Sequence, residues 1–359
     1  MGKYDKDRFQ KELSIRYCLA RGAIPFLEVI VRSITDLSDS VENITDLDVL
    51  GIEATGDGGI RRTIFDCKTT NKMSAINRAF WAAGIKEYTG SNDAFVLLKG
   101  RAVYNHRISA LAIEVDLHDE QSFKDLGRTL DPAFPADDFY QSTIERWDAV
   151  FDCYLKNAWS ETLFDLARNV VPLSHTPTNT FRRFLNELRT VRGQFDPEKD
   201  AHLAVFFDVL ASVFVLWAAM GRDIRRFYEP TMDKSTFENI LRYYLWGGKE
   251  SYVVRQEMRQ KLGVNGGVVE LPAWKALLAF AGLIVSAPQN VLDCAFVCRE
   301  LSIRAAVGAN EKFDKQISEK LKENSRIRQF SAALCDYLVE AGGLPKDLAK
   351  RAQNTLFEA

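Results

Sequence analysis

The chain is short of the residues that sulfur and transition-metal chemistry require. Only four of its 359 residues are histidines (106, 118, 175 and 202), and no two stand at a ligand spacing. Its six cysteines (18, 67, 153, 294, 298 and 335) include no C-x-x-C pair, and Cys294 and Cys298 lie four apart, as on one helix face. A structural zinc is therefore not expected, and buried free thiols in a reducing compartment are the simplest reading. Net charge is also scarce. Lys and Arg number 47 against 49 Asp and Glu, a formal −2, so no global field draws the chain to nucleic acid or to an anionic membrane. The N-terminus, M-G-K-Y-D-K-D-R-F, has no apolar signal core, and Lys6 breaks the myristoylation pattern; a cytoplasmic protein is expected. No self-similar period marks a helical repeat array. Residues 203–220 approach the length of a membrane span, but Asp208 sits inside them, and a buried central helix is expected instead.

What is present is an ordinary globular composition, 47% hydrophobic and 27% charged, with an uneven distribution of charge. Between Arg61 and Arg107 there are nine Lys or Arg and three Asp or Glu, a local excess of six positive charges in a chain that is acidic elsewhere. Helical spacing of apolar residues covers 6–21, ending at Gly22, and alternation suggests a strand over 23–34. An Ala-rich helix is expected over 71–88, followed by short strands at 94–98 and 108–115. D-P-A-F-P-A-D-D, from Asp131, reads as a linker. Beyond it the pattern is helical throughout, with candidate helices over 138–169, 178–192, 200–220, 233–246, 250–262, 273–286, 289–307, 310–323, 325–341 and 345–357. The expectation is an α/β unit over 1–130, a mixed sheet with flanking helices, followed by an all-helical unit over 131–359.

One stretch carries chemistry. Residues 44–70 read I-T-D-L-D-V-L-G-I-E-A-T-G-D-G-G-I-R-R-T-I-F-D-C-K-T-T, two alternating runs about a Gly-rich turn, the signal of a β-hairpin. Asp46 and Asp48 share a face of the first strand; Asp66 and Lys68 share a face of the second. Pairing that sets Asp48 beside Asp66 puts two carboxylates and an ammonium together, in outline a hydrolytic site for a phosphate ester. Carboxylate oxygens with few histidines suit Mg²⁺ or Mn²⁺ better than Zn²⁺. Asp46 reads as a solvated or loop-bonded residue and Glu28 as an ordinary strand charge. Lys72, Arg78 and Lys86, on the helix behind Lys68, are placed to track a phosphate backbone, with Trp81 and Tyr88 beneath them or stacked on bases. Arg182, Arg183, Arg189 and Arg192 fall on one amphipathic helix that could face nucleic acid or an acidic partner.

A helix, a strand, a strand bearing I-T-D-L-D-V-L and, 18 residues after Asp48, a strand bearing D-C-K form a sequence that resembles the PD-(D/E)XK nuclease superfamily, the restriction-endonuclease-like fold. The likeness is to its Mrr and Holliday-junction-resolvase branch and covers roughly residues 5–105. It implies that Asp48 and Asp66 bind metal, that the Cys67 backbone carbonyl completes the inner shell, and that Lys68 orients or deprotonates the attacking water. Glu12 falls where many members place a further acidic ligand. Leu47 stands where the family's literal Pro precedes the Asp, and Asp66 replaces the more frequent Glu. The implied protein is a Mg²⁺- or Mn²⁺-dependent nuclease acting on nucleic acid, DNA before RNA, in a prokaryotic defence or DNA-processing setting. The alternative is a catalytically silent subunit whose helical part binds nucleic acid, a protein partner or a second copy.

Overall fold

The computed structural model describes residues 7–33, 40–56, 59–69, 74–262 and 268–358. The N-terminal part runs α1 (Arg8–Ala20), β1 (Ile24–Arg32), β2 (Asn43–Ala54), β3 (Ile60–Lys68), α2 (Ala75–Thr89), β4 (Asp93–Leu98), α3 (Tyr104–Leu111), β5 (Val115–Asp119) and α4 (Glu120–Arg128). The five strands form one sheet in the order β1-β2-β3-β4-β5. β1, β2 and β3 pair antiparallel; β4 and β5 continue parallel to β3. Parallel neighbours need a crossover, and α2 and α3 supply the two required. That requirement corrects the reading of 108–115. The first half of I-S-A-L-A-I-E-V closes α3, a turn follows over 112–114, and the last strand is V-D-L-H-D, beginning at Val115. A short, mostly apolar run of this kind does not distinguish helix from strand by periodicity.

The two faces of β3 go to different helices, as period-two alternation demands. Phe65 points to the α1 side, where it meets Tyr17, Phe95 and Phe123 in a ring cluster with centroids 5.0–6.3 Å apart. Cys67 lies on that side too, against Ser14 of α1. Asp66 points the opposite way, to α2. The carboxyl ends of β3, β4 and β5 therefore lie together at one end of the sheet.

Beyond the 131–138 segment the chain is helical: α5 (Ile144–Leu155), α6 (Glu161–Asp165), α7 (Pro177–Thr190), α8 (Asp200–Phe227), α9 (Lys234–Leu245), α10 (Lys249–Lys261), α11 (Trp274–Ser286), α12 (Val291–Val307), α13 (Glu311–Glu323), α14 (Arg326–Gly342) and α15 (Lys346–Glu358). The helix expected over 138–169 is broken, because the Asn157 side chain caps the Cys153 carbonyl and stops α5. α8 is long and apolar enough to cross a membrane, yet 94% of its apolar window is buried by its neighbours. Inside it Asp208 receives the Tyr154 hydroxyl at 2.8 Å and pairs with Arg299 of α12 at 3.0 Å. Arg299 itself lies between the rings of Phe26 and Trp147. A buried charge is thus matched by a buried charge.

The helical part covers the open edge of β1, which would otherwise offer unpaired backbone. Asn169 Oδ1 accepts from the Ile30 amide, Arg168 donates to the Leu27 carbonyl, and Arg32 pairs with Asp165. On the other flank Arg16 of α1 donates to the carbonyls of Pro135 and Ser142. One apolar core runs through both parts.

Candidate active site

The register explains how the acidic residues meet. Leu27 pairs with Val49 and Val29 with Leu47, which sets Glu28 across from Asp48. On the other side of β2, the last pair with β3 is Val49 with Phe65. The next step would oppose Asp48 and Asp66, but the strands part there and the Asp48 side chain takes the place of the ladder bond. Its Oδ2 accepts from the Cys67 amide at 2.8 Å and from Lys68 Nζ at 3.0 Å. A strand residue's N–H and C=O leave on the same side, so the Cys67 carbonyl also faces Asp48.

Asp48 Oδ1 lies 3.3 Å from Lys11 Nζ of α1, and the same ammonium pairs with Glu28. Glu28 has φ of 54°, a left-handed conformation that non-glycine residues seldom adopt inside a strand. Burial pulls the Lys11 ammonium down, but the carboxylates of Asp48 and Glu28 outweigh it and hold the group up at about 12. Burial pushes the Glu28 carboxyl up, against the pull of Lys11.

Asp66 is gripped by Arg78 of α2 through both carboxylate oxygens, Nε at 2.7 Å. Burial raises the Asp66 carboxyl, opposed by Arg78 and Lys68. Lys68 sits among three carboxylates: Asp48 at 3.0 Å, Asp66 at 3.6 Å and Asp7 at 3.9 Å. Burial lowers its ammonium while Asp48 and Asp66 raise it, and the net shift is upward. Asp7 uses its other oxygen to accept from the Thr69 amide. The Lys68 side chain keeps 23% of its exposure, against 7% for Asp48 and 2% for Asp66. Of these three side chains it is the one most open to solvent.

Glu28, Asp46 and Asp48 can each offer an oxygen within 4.8 Å of the others. With Asp7 and Asp66 they make five carboxylates, facing the three cations Lys11, Lys68 and Arg78, a formal −2. One divalent ion would cancel that charge. An all-oxygen donor set fits a hard cation of the Mg²⁺ or Mn²⁺ kind.

The residues expected from the sequence divide as follows. Asp48, Asp66 and Lys68 come together. Glu12 does not join them: its carboxylate accepts from Arg8 and from the Ile144 amide and so ties α1 to the start of α5. Arg78 is held by Asp66, its guanidinium stacked on Trp81, rather than presented to a phosphate backbone. Lys86 is buried and paired with Glu114 at 2.9 Å. Lys72 lies outside the described residues. Of the four arginines expected on one helix, Arg182, Arg183 and Arg189 lie on α7 and Arg192 falls beyond its end at Thr190; Arg182 packs over Trp246 and donates to the Leu245 carbonyl, a packing role. Asp46 and Glu28, read as ordinary charges, join the oxygen cluster. Lys11 and Asp7 were not anticipated. Lys11 gave one signal: it falls on the helical stripe of Ile15 and Cys18, where a charge is out of place.

Compared with protein-family models, with curated proteins and with solved structures, the chain matches none.

Proposed function

We propose that the chain is a divalent-metal-dependent phosphodiesterase acting on nucleic acid, and that its N-terminal part is a PD-(D/E)XK-type nuclease unit. One observation carries the reading: Asp48, Asp66 and Lys68 converge where β2 and β3 part. Asp48 would hold the ion, with Glu28, Asp46 and the Cys67 carbonyl as further oxygen donors. Such an ion supplies a water of lowered pKa and polarises the phosphoryl oxygen. The Cys67 amide fixes the orientation of Asp48. Lys11 stays protonated and keeps Glu28 and Asp48 close despite their like charge. The partly exposed Lys68 ammonium stabilises negative charge that develops on the phosphate. All six cysteines are free and buried, which supports a reducing, cytoplasmic setting.

The test is cleavage of supercoiled plasmid and of labelled single- and double-stranded DNA and RNA with Mn²⁺ or Mg²⁺. Lys68→Ala is expected to slow cutting by about 100-fold or more with the fold retained. Equal cutting by wild type and Lys68→Ala would refute the assignment. A second reading is favoured by the grip of Arg78 on Asp66: the unit binds but does not cut, as the silent subunit of a larger assembly. It predicts intact substrate with every metal, for the wild type and for Arg78→Ala alike.

A further inference from the structure

At the carboxyl ends of β4 and β5 the segment after Leu98 and the first turn of α4 flank a groove of about 560 Å³. It adjoins the candidate active site, since the Lys99 amide donates to the Lys68 carbonyl at 3.0 Å. Four cations line it, Lys99, Arg101, Arg107 and Lys124, together with Asp119, Glu120 and Asp125. The acidic groups are already engaged. Asp119 caps α4 by accepting from the Ser122 amide, Asp125 accepts from Gln121 and Arg128, and Glu120 accepts from Gln10. The cations are not. Among the described residues Lys99, Arg101 and Arg107 have no side-chain hydrogen bond or ion pair, and Lys124 lies over the Phe9 ring. The groove therefore sets four cations against three carboxylates, a formal +1, and its carboxylates are held by partners of their own while three of its cations are open to a ligand.

Tyr104 stands one helical turn from Arg107, which lines the groove, on the same helix face. It opens α3 and is 72% exposed. An exposed ring beside a row of unpaired cations is the arrangement that holds a single strand: phosphates follow the charges and an unstacked base lies on the ring. A duplex keeps its bases stacked inside and offers Tyr104 no face.

We infer that this groove binds single-stranded nucleic acid and leads it to Lys68, so that the substrate is a single strand, overhang or flap rather than an uninterrupted duplex. The inference rests on the nuclease reading for its purpose but can be tested without any cutting.

The experiment is fluorescence anisotropy of the full chain, in EDTA, with labelled oligothymidylate, its RNA counterpart and a duplex of equal length. The wild type is expected to bind a single strand about tenfold more tightly than duplex. The salt dependence of log K should have a slope of about −3, one contribution for each of the four cations. Arg101→Glu/Arg107→Glu should halve that slope and weaken binding at least tenfold. Tyr104→Ala should weaken single-strand binding about tenfold and leave duplex binding unchanged. Lys156→Glu, on an exposed lysine of the helical part, should change neither. Groove variants that bind like wild type, equal affinity for duplex, or no binding by the wild type overturn the inference. So would an unchanged Tyr104→Ala, which would mark the exposed Tyr104, Ile108 and Leu111 as a protein-docking face. Single-strand binding lost in the groove variants of a chain that never cuts would leave the groove standing and remove the nuclease reading; cutting with unaltered binding would do the reverse.

Discussion

Arg78 holds Asp66 by both carboxylate oxygens, and the same guanidinium lies 4.8 Å from the centre of the Trp81 ring. The helix that follows D-C-K thus returns a cation to the acidic residue of that motif. While Arg78 is in place, Asp66 has little to offer an ion. Arg78→Ala is expected to tighten Mn²⁺ binding, measured by calorimetric titration. Without metal it should destabilise the fold by about 3 kcal/mol, because a buried carboxylate loses its partner. Saturating Mn²⁺ should recover much of that loss. Unchanged Mn²⁺ affinity in this variant would show that Asp66 is structural.

Lys11 offers the complementary case. It is the buried cation between Glu28 and Asp48, held at about 12, and so it is charged at any physiological pH. Lys11→Met leaves two buried carboxylates facing each other. Its unfolding midpoint is expected to fall by the equivalent of about 3 kcal/mol in EDTA, and to rise with added Mn²⁺ more than the wild-type midpoint does. A midpoint that Mn²⁺ does not move would argue that no ion binds there.

Glu300 gives a pH signature remote from the site. It is fully buried on α12 and accepts from the amides of Tyr140 and Gln141 and from the Gln141 side chain. Burial outweighs those donors and lifts its carboxyl from 4.5 to about 7. A folded-state pKa above the unfolded value means that the folded chain holds the proton longer. The contribution to stability is therefore complete below pH 4.5 and is lost as pH rises through 7, a change of about 3 kcal/mol. Thermal melts of Glu300→Gln against pH should lack this slope.

In the helical part, Asp208→Ala should cost about 3–5 kcal/mol by chemical denaturation, since it strands Arg299 between Phe26 and Trp147. Asp208→Ala/Arg299→Met should recover part of that loss, because the pair is removed together.

Much of the architecture was legible because it rests on local signals. The β2–β3 hairpin follows from alternation about a Gly-rich turn, and the helices after 170 follow from apolar spacing between Pro, Gly and Asn breaks. The α3 segment was not legible, because the run I-S-A-L-A-I, residues 108–113, suits either period and only the parallel pairing of β4 with β5 demands a helix there. Within the site, Asp48, Asp66 and Lys68 were visible as side chains sharing faces of a hairpin. Glu28 was not, since its approach to Asp48 depends on a left-handed backbone that strand patterning cannot foretell. Nor were Asp7 and the partner of Arg78, which reach their places only when α1 and α2 pack on opposite faces of the sheet. Glu12 misled because one residue along a helix turns the side chain by about 100°, which sends Lys11 to the carboxylates and Glu12 to Ile144.

The account stands on a hard divalent ion at Asp48. Its most direct test is the anomalous scattering of manganese in crystals of the full chain grown with Mn²⁺. The expected result is a peak about 2.0–2.3 Å from an Asp48 oxygen, absent in crystals of Asp48→Asn. A map with no peak at Asp48 under saturating Mn²⁺, or one whose peaks persist in the variant, would contradict it.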